Sequence, residues 1–187
     1  EISVQGESET NMEMVKNMLL MISLAIVFIY LIMVAQFQGL LSPFIVLLTI
    51  PLAFTGGLLA LLISGEPLSV MALMGFLVLA GVVVNNGIVF VDYANKLRMT
   101  GVEKKEALVE TGKTRMRPIL MTALTTILAM STLAFSTDST AAMSRGMAIV
   151  TIGGLTYATF MTLFIVPVFY DIFYRRKMKK VDLGDEE

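Results

Sequence analysis

The sequence predicts an all-α membrane protein: a bundle of five transmembrane helices with one short helix on the membrane surface. Three observations carry this. Hydrophobic residues make up 56% of the 187 residues and charged residues only 16%, where soluble domains run at about a quarter charged; mean hydropathy is +0.80. Five apolar stretches are each long enough to cross a bilayer as helix, which takes about 20 residues. The basic residues collect in two places that five crossings would put on the same side.

The elements follow in order. Residues 1–13 open with "EISVQGESET", which reads as the end of a strand and a polar connection. The chain starts at Glu1 with no signal-peptide pattern, and reads as a piece of a longer protein. The helix bundle then occupies residues 14–177. Its first span is 14–37, with a capping box from Thr10 to Glu13 marking the start. The second is 43–64; Ser42 and Pro43 suit an N-cap and first helical position, and Pro51 predicts a kink. The third is 68–97. Thr100 and Glu103 form a second capping box and Gly112 a stop, which predicts a surface helix over 101–112. The fourth span is 117–136 and the fifth 143–174, bent near Pro167, with a polar tail at 178–187. The gaps between the first three spans are short, which favours antiparallel neighbours.

Orientation follows from Lys and Arg. The stretch 96–117 holds seven basic residues and the tail after 174 holds five, together twelve of the fourteen in the chain. Five crossings place both stretches in the cytoplasm and the N-terminus outside.

The composition also excludes chemistry. With no cysteine and no histidine there is no disulfide framework, no thiol or Ser-His catalysis and no His-ligated zinc. A net charge of −1 gives no case for nucleic acid. No phosphate-cradling loop and no metal-ligand cluster is visible, so no metal or cofactor is expected and an enzyme reading has little support. The 15 methionines read as flexible apolar filler rather than a Met-lined substrate path.

What remains is polarity at membrane depth. In "GVVVNNGIVFVDYANK" (81–96), two amides and an acid interrupt an apolar run. Polar groups in hydrocarbon are costly unless paired, and tend to face a bundle interior. Helical spacing aligns Gly81, Asn85, Ile88 and Asp92, with Asn86 beside them. Gly75, Gly81 and Gly87 would let a neighbouring helix approach closely. On the fourth span Thr122, Thr125 and Thr126 share a face. Spacing leaves two readings open. The amides and hydroxyls either hold helices together, the hydroxyls bonding their own preceding carbonyls, or they form an ion or proton path. Asp92 reads as the partner of Lys96, and Arg115 and Arg117 as anchors at the membrane boundary.

These residues carry a resemblance. "GVVVNNGIVFVDYANKLRMTGVEKKEALVETGKTRMRPILMTALTTILAMSTLAFS" resembles the tenth and eleventh transmembrane segments of the resistance–nodulation–division (RND) efflux transporters, hydrophobe/amphiphile (AcrB-like) branch. Within it "RMRPILMTALTTILAM" is the specific signal. "AQFQGLLSPFIVLLTIPLAFTGGLLAL" resembles the eighth and ninth segments, and "IVPVFYDIFYRR" the end of the twelfth. The resemblance implies a twelve-helix homotrimer that exchanges protons for exported drugs or amphiphiles across the cytoplasmic membrane, with a periplasmic-adaptor-type partner. Residues 1–13 would then be the end of an extracytoplasmic porter loop, and the chain would contribute helices eight to twelve. The proton is the only coupling ligand implied.

In that family two Asp on helix four, a Lys on helix ten, and an Arg and a Thr on helix eleven form the proton relay. By resemblance the Lys position is Asn85, its neighbour Asn86, the Arg is Arg115 and the Thr is Thr122. Asn in place of Lys is a departure: Lys neutralises a buried carboxylate by charge, whereas Asn only hydrogen bonds. It predicts fewer acids on helix four. The resemblance favours the relay over packing glue for Asn85, Asn86, Thr122 and Arg115, with Asp92, Thr125 and Thr126 secondary. Two other functions stay open: an RND-related accessory subunit for protein or lipid export, and a membrane scaffold that transports nothing. No substrate pocket is expected in these helices, and the five alone are expected to be poorly stable.

Overall fold

In lipid every backbone N–H and C=O must find its partner within the segment, so long apolar stretches become helices. The computed structural model describes residues 2–136 and 138–174, without the side chains of 2–9 and 139–142. It contains α1 (Ile2–Phe37), α2 (Leu41–Leu47), α3 (Thr49–Ser64), α4 (Val70–Met99), α5 (Lys104–Ala134) and α6 (Ser139–Phe173), and no strand among the described residues. With α2 and α3 counted as one broken crossing, five helices are long and apolar enough to span a membrane. The tail at 178–187 and its basic residues lie outside the described residues.

The break between α2 and α3 falls at Leu48, where the expected kink belongs. A proline clashes with the carbonyl four residues before it and offers it no N–H; for Pro51 that carbonyl is on Leu47. Thr49 Oγ1 donates to the Val46 carbonyl at 2.6 Å and so ties the two pieces together.

Four element boundaries differ from the sequence reading, for separable reasons. Residues 2–13 are helical rather than the end of a strand, and the Thr10–Glu13 box does not start α1. Once a long apolar helix exists, each added residue gains one hydrogen bond without a new nucleus. Leu40, not Ser42, occupies the N-cap of α2, without a side-chain bond. The Ser42 hydroxyl is buried and pairs across the bundle instead.

The expected surface helix over 101–112 and span over 117–136 are one helix, α5. The turn is made at Gly101 (φ 93°) rather than Gly112. Val102 N–H donates to Leu97 O, and Gly101 N–H to Arg98 O. This is the Schellman stop of α4, so Thr100 closes α4 rather than capping the next helix. Within α5, Gly112 costs only about 1 kcal/mol relative to Ala, too little to end it. Pro118 also lies inside, as proline can in membrane helices. Likewise Pro167 lies inside α6, which runs on to Phe173.

α6 is the hub, packed against α3, α4 and α5, while α1 touches α4 and α2 at the periphery. Lipid gives helices no hydrophobic drive to associate, so close backbone packing decides. At Gly153 an added Cβ would sit 2.1 Å from Ala60 Cβ, and at Gly154 one would sit 2.2 Å from Leu79 Cδ2. α3 and α6 therefore cross almost backbone to backbone. Of the three glycines singled out on α4, Gly75 meets the Met147 backbone and Gly87 meets Val46, but Gly81 faces open space.

Candidate functional site

The open face of α4 is the stripe that holds Gly81, Asn85 and Asp92. Nothing lies within 4 Å of a Cβ at Gly81, and Asn85 is exposed. Asn86, roughly 100° round the helix at 3.6 residues per turn, is 7% exposed. Its Oδ1 lies 3.4 Å from Thr122 Oγ1 of α5, whose hydroxyl also donates to the Ile119 carbonyl at 2.9 Å. At these distances the carbonyl is the stronger acceptor. Thr122 thus holds a proton between its own helix and α4.

One turn or more nearer the α4–α5 connection, Arg115 lies over the Tyr93 ring, its guanidinium carbon 4.6 Å from the centroid. The Arg115 Nε is buried without a hydrogen-bond partner. Asn86, Tyr93, Arg115 and Thr122 therefore form one seam between α4 and α5. Asn85 lies outside it on the uncovered stripe.

The secondary residues take local partners. Thr125 Oγ1 donates to Met121 O at 2.7 Å and Thr126 Oγ1 to Thr122 O at 2.9 Å, the back-bonding of a helical threonine. Asp92 pairs with Lys96 at 2.7 Å, four residues on, with the lysine side chain 69% exposed. Such a surface pair contributes little.

A second polar cluster, not singled out in the sequence, lies at the end of the bundle bearing the α4–α5 connection. Arg98, a buried cation, donates to Tyr170 OH at 3.1 Å. Tyr170 OH donates to Asn95 Oδ1, and Asn95 Nδ2 donates to Ser42 Oγ at 3.0 Å. Ser42 Oγ shares a hydrogen bond with Tyr174 OH at 2.5 Å. The Tyr170 and Tyr174 rings stack with centroids 4.4 Å apart, and Arg98 lies within 5.5 Å of both. Beside them Lys104 Nζ reaches Asp171 Oδ1 at 2.6 Å and the Asp171 and Tyr174 carbonyls at 2.9 and 3.3 Å. The available signal was spacing: Asn95 and Arg98 are three apart and the two tyrosines four apart, each pair on one helix face.

Five helices of spanning length, two of them joined by a polar seam, define a polytopic membrane protein. The profile described as the AcrB/AcrD/AcrF family matches residues 1–174. The swarming motility protein SwrC of Bacillus subtilis is 40% identical over 163 residues, 87% of this chain and 16% of that protein. The cobalt-zinc-cadmium resistance protein CzcA of Cupriavidus metallidurans is 37% identical over 155 residues, 83% of this chain and 15% of that protein. A crystal structure of a heavy metal efflux pump superposes with a TM-score of 0.80 at 31% identity, covering 90% of this chain and 16% of the pump. The chain belongs to the AcrB/AcrD/AcrF family of RND efflux transporters. It spans about one-sixth of the length of the relatives it matches.

Proposed function

We propose that the chain forms part of the membrane domain of a secondary active, proton-coupled exporter of drugs or amphiphiles in the cytoplasmic membrane. In this reading the seam between α4 and α5 takes part in energy coupling. The observation that supports it most is the Asn86–Thr122 contact at 3.4 Å between two spanning helices, with Asn85 on the adjacent uncovered stripe. An amide facing lipid is costly, so that stripe is the surface on which the rest of the protein packs, including its acidic half of the relay. Because Asn85 carries no charge, the proposal includes fewer than two carboxylates opposite it. The whole protein acts as a homotrimer with an adaptor-type partner, and the basic α4–α5 connection lies in the cytoplasm.

The test uses the full-length protein. Resistance to a panel of drugs and surfactants is measured for Asn85→Leu and Thr122→Ala, with membrane protein level alongside. Loss of resistance at unchanged level supports coupling through the seam for Thr122→Ala and through the uncovered stripe for Asn85→Leu. Unchanged resistance and level in both would show that neither group takes part in coupling. A second substrate class is favoured by two of the comparisons, a cobalt-zinc-cadmium resistance protein and a heavy metal efflux pump. Including cobalt, zinc and cadmium in the panel separates the two: resistance to metals alone moves the substrate to cations.

A further inference from the structure

The seam needs α4 in one rotational setting. Asn85 and Asn86 are adjacent in sequence and about 100° apart on the helix, yet only Asn86 meets Thr122. A turn of α4 by that angle would exchange one amide for the other. Close contacts of Gly75 with the Met147 backbone and of Gly87 with Val46 set how near α4 sits to its neighbours, but the apolar side chains it buries around Asn86, such as Val83, Val84, Phe90 and Val91, make no directional bond.

The second polar cluster adds a directional constraint to this packing. Counting from Asn86, Arg98 lies about 120° and Asn95 about 180° round the helix axis, and Asn95 is about 13 Å further along it. α4 therefore presents Asn86 and Tyr93 to α5 from one edge of its buried face. It is gripped by α2 and α6 at the other edge. The grip is directional: Arg98 to Tyr170, Tyr170 to Asn95, Asn95 to Ser42 and Ser42 with Tyr174. Hydrogen bonds require alignment as well as distance, so unlike aliphatic contacts they resist a turn about the axis.

We infer that the Ser42–Asn95–Arg98–Tyr170–Tyr174 network is a rotational latch. Its members are positioning residues that hold α4 in the setting where Asn86, and not Asn85, faces Thr122. Its importance for transport rests on the function proposed above; the rotational claim does not.

The experiment reads rotation directly. The full-length protein in its native membranes carries either Asn86→Cys with Thr122→Cys, or Asn85→Cys with Thr122→Cys. The chain has no cysteine of its own in this region. A short bifunctional thiol reagent is applied and the linked peptides are identified by mass spectrometry. With the latch intact the 86–122 product dominates. In Tyr170→Phe, which removes one hydroxyl and keeps the ring, and in Asn95→Ala, the ratio of 86–122 to 85–122 product falls roughly fivefold, the population change that one net hydrogen bond supports. An unchanged ratio at normal protein level overturns the inference. So does loss of both variants from the membrane, which would make the network a folding element. A shifted ratio with transport unaffected keeps the latch and refutes the coupling role of the seam.

Discussion

Gly153→Ala tests the packing of the hub. An alanine Cβ at this position would lie 2.1 Å from Ala60 Cβ and 3.3 Å from the Gly56 carbonyl oxygen. Carbon atoms rest at about 3.5–4.0 Å, and a gap of about 1 Å already forfeits up to half of each dispersion contact. Ala60 Cβ is fixed to the α3 backbone, so no rotamer change relieves the clash and the two helices must part. Overpacking of this kind costs typically about 1–3 kcal/mol. Against that, Gly→Ala in a helix interior gains about 1 kcal/mol. With the contact more than 1 Å too close, the net should be a loss of about 1–2 kcal/mol.

The assay is thermal melting of the full-length protein in detergent, followed by fluorescence-detected size exclusion. Gly153→Ala should melt earlier than wild type, and adding Ala60→Gly should restore it, because the offending methyl then moves from one helix to the other. Gly112→Ala is the control. It has open space around it inside α5 and should be neutral or gain up to about 1 kcal/mol. Gly153→Ala as stable as wild type, or no rescue by Ala60→Gly, would refute the close crossing.

Three further outcomes are expected. Arg115 and Tyr93 should show a coupling of about 1 kcal/mol in a double-mutant cycle with Arg115→Ala and Tyr93→Ala, the range of a partly desolvated cation–π contact; melting temperatures of the four proteins measure it. Lys104→Ala removes a cation from two carbonyls and a carboxylate at the C-terminus of α6. It should speed amide exchange in residues 170–174, consistent with about 1 kcal/mol for a charge at a helix terminus, and leave α3 unchanged. Ser69→Ala deletes the side-chain acceptor for Ala72 N–H at the start of α4. It should cost about 1 kcal/mol, read as faster exchange in the first turn of that helix, with Ser69→Asp close to wild type.

The helices were legible because bilayer crossing demands apolar length and nothing else competes with that signal. Their ends were not. Gly101 and Gly112 are equally good stops on paper; only the left-handed φ at Gly101 decides between them, and that is set by how α4 meets α5. Serine at 42 reads as a cap until Tyr174, 132 residues away at the C-cap of α6, is brought beside it. For the polar seam, sequence placed Asn85, Asn86 and Thr122 at matching depth but not the direction each faces. The flanking residues of α4 are apolar on every side, so no amphipathic contrast separates the buried face from the open one. The α3–α6 crossing was missed for a related reason: no strict pair of glycines four apart marks it, and its four-residue pairs, Gly56 with Ala60 and Gly154 with Ala158, use alanine as the second small residue.

The continuity of α5 gives the molecule a lever. At 31 residues the helix is about 46 Å long, well beyond the roughly 30 Å of hydrocarbon. Its first turns carry Lys104, Lys105 and Lys113 and its apolar half carries Thr122. A load applied to the charged end in water is therefore delivered to the seam inside the membrane without passing through a loop. The one soft joint on the way is Pro118, where a backbone hydrogen bond is missing. It lies between Arg115 at the ring of Tyr93 and Thr122 at Asn86. The two contacts of the seam are thus mounted on either side of a flexure, and one can let go while the other holds.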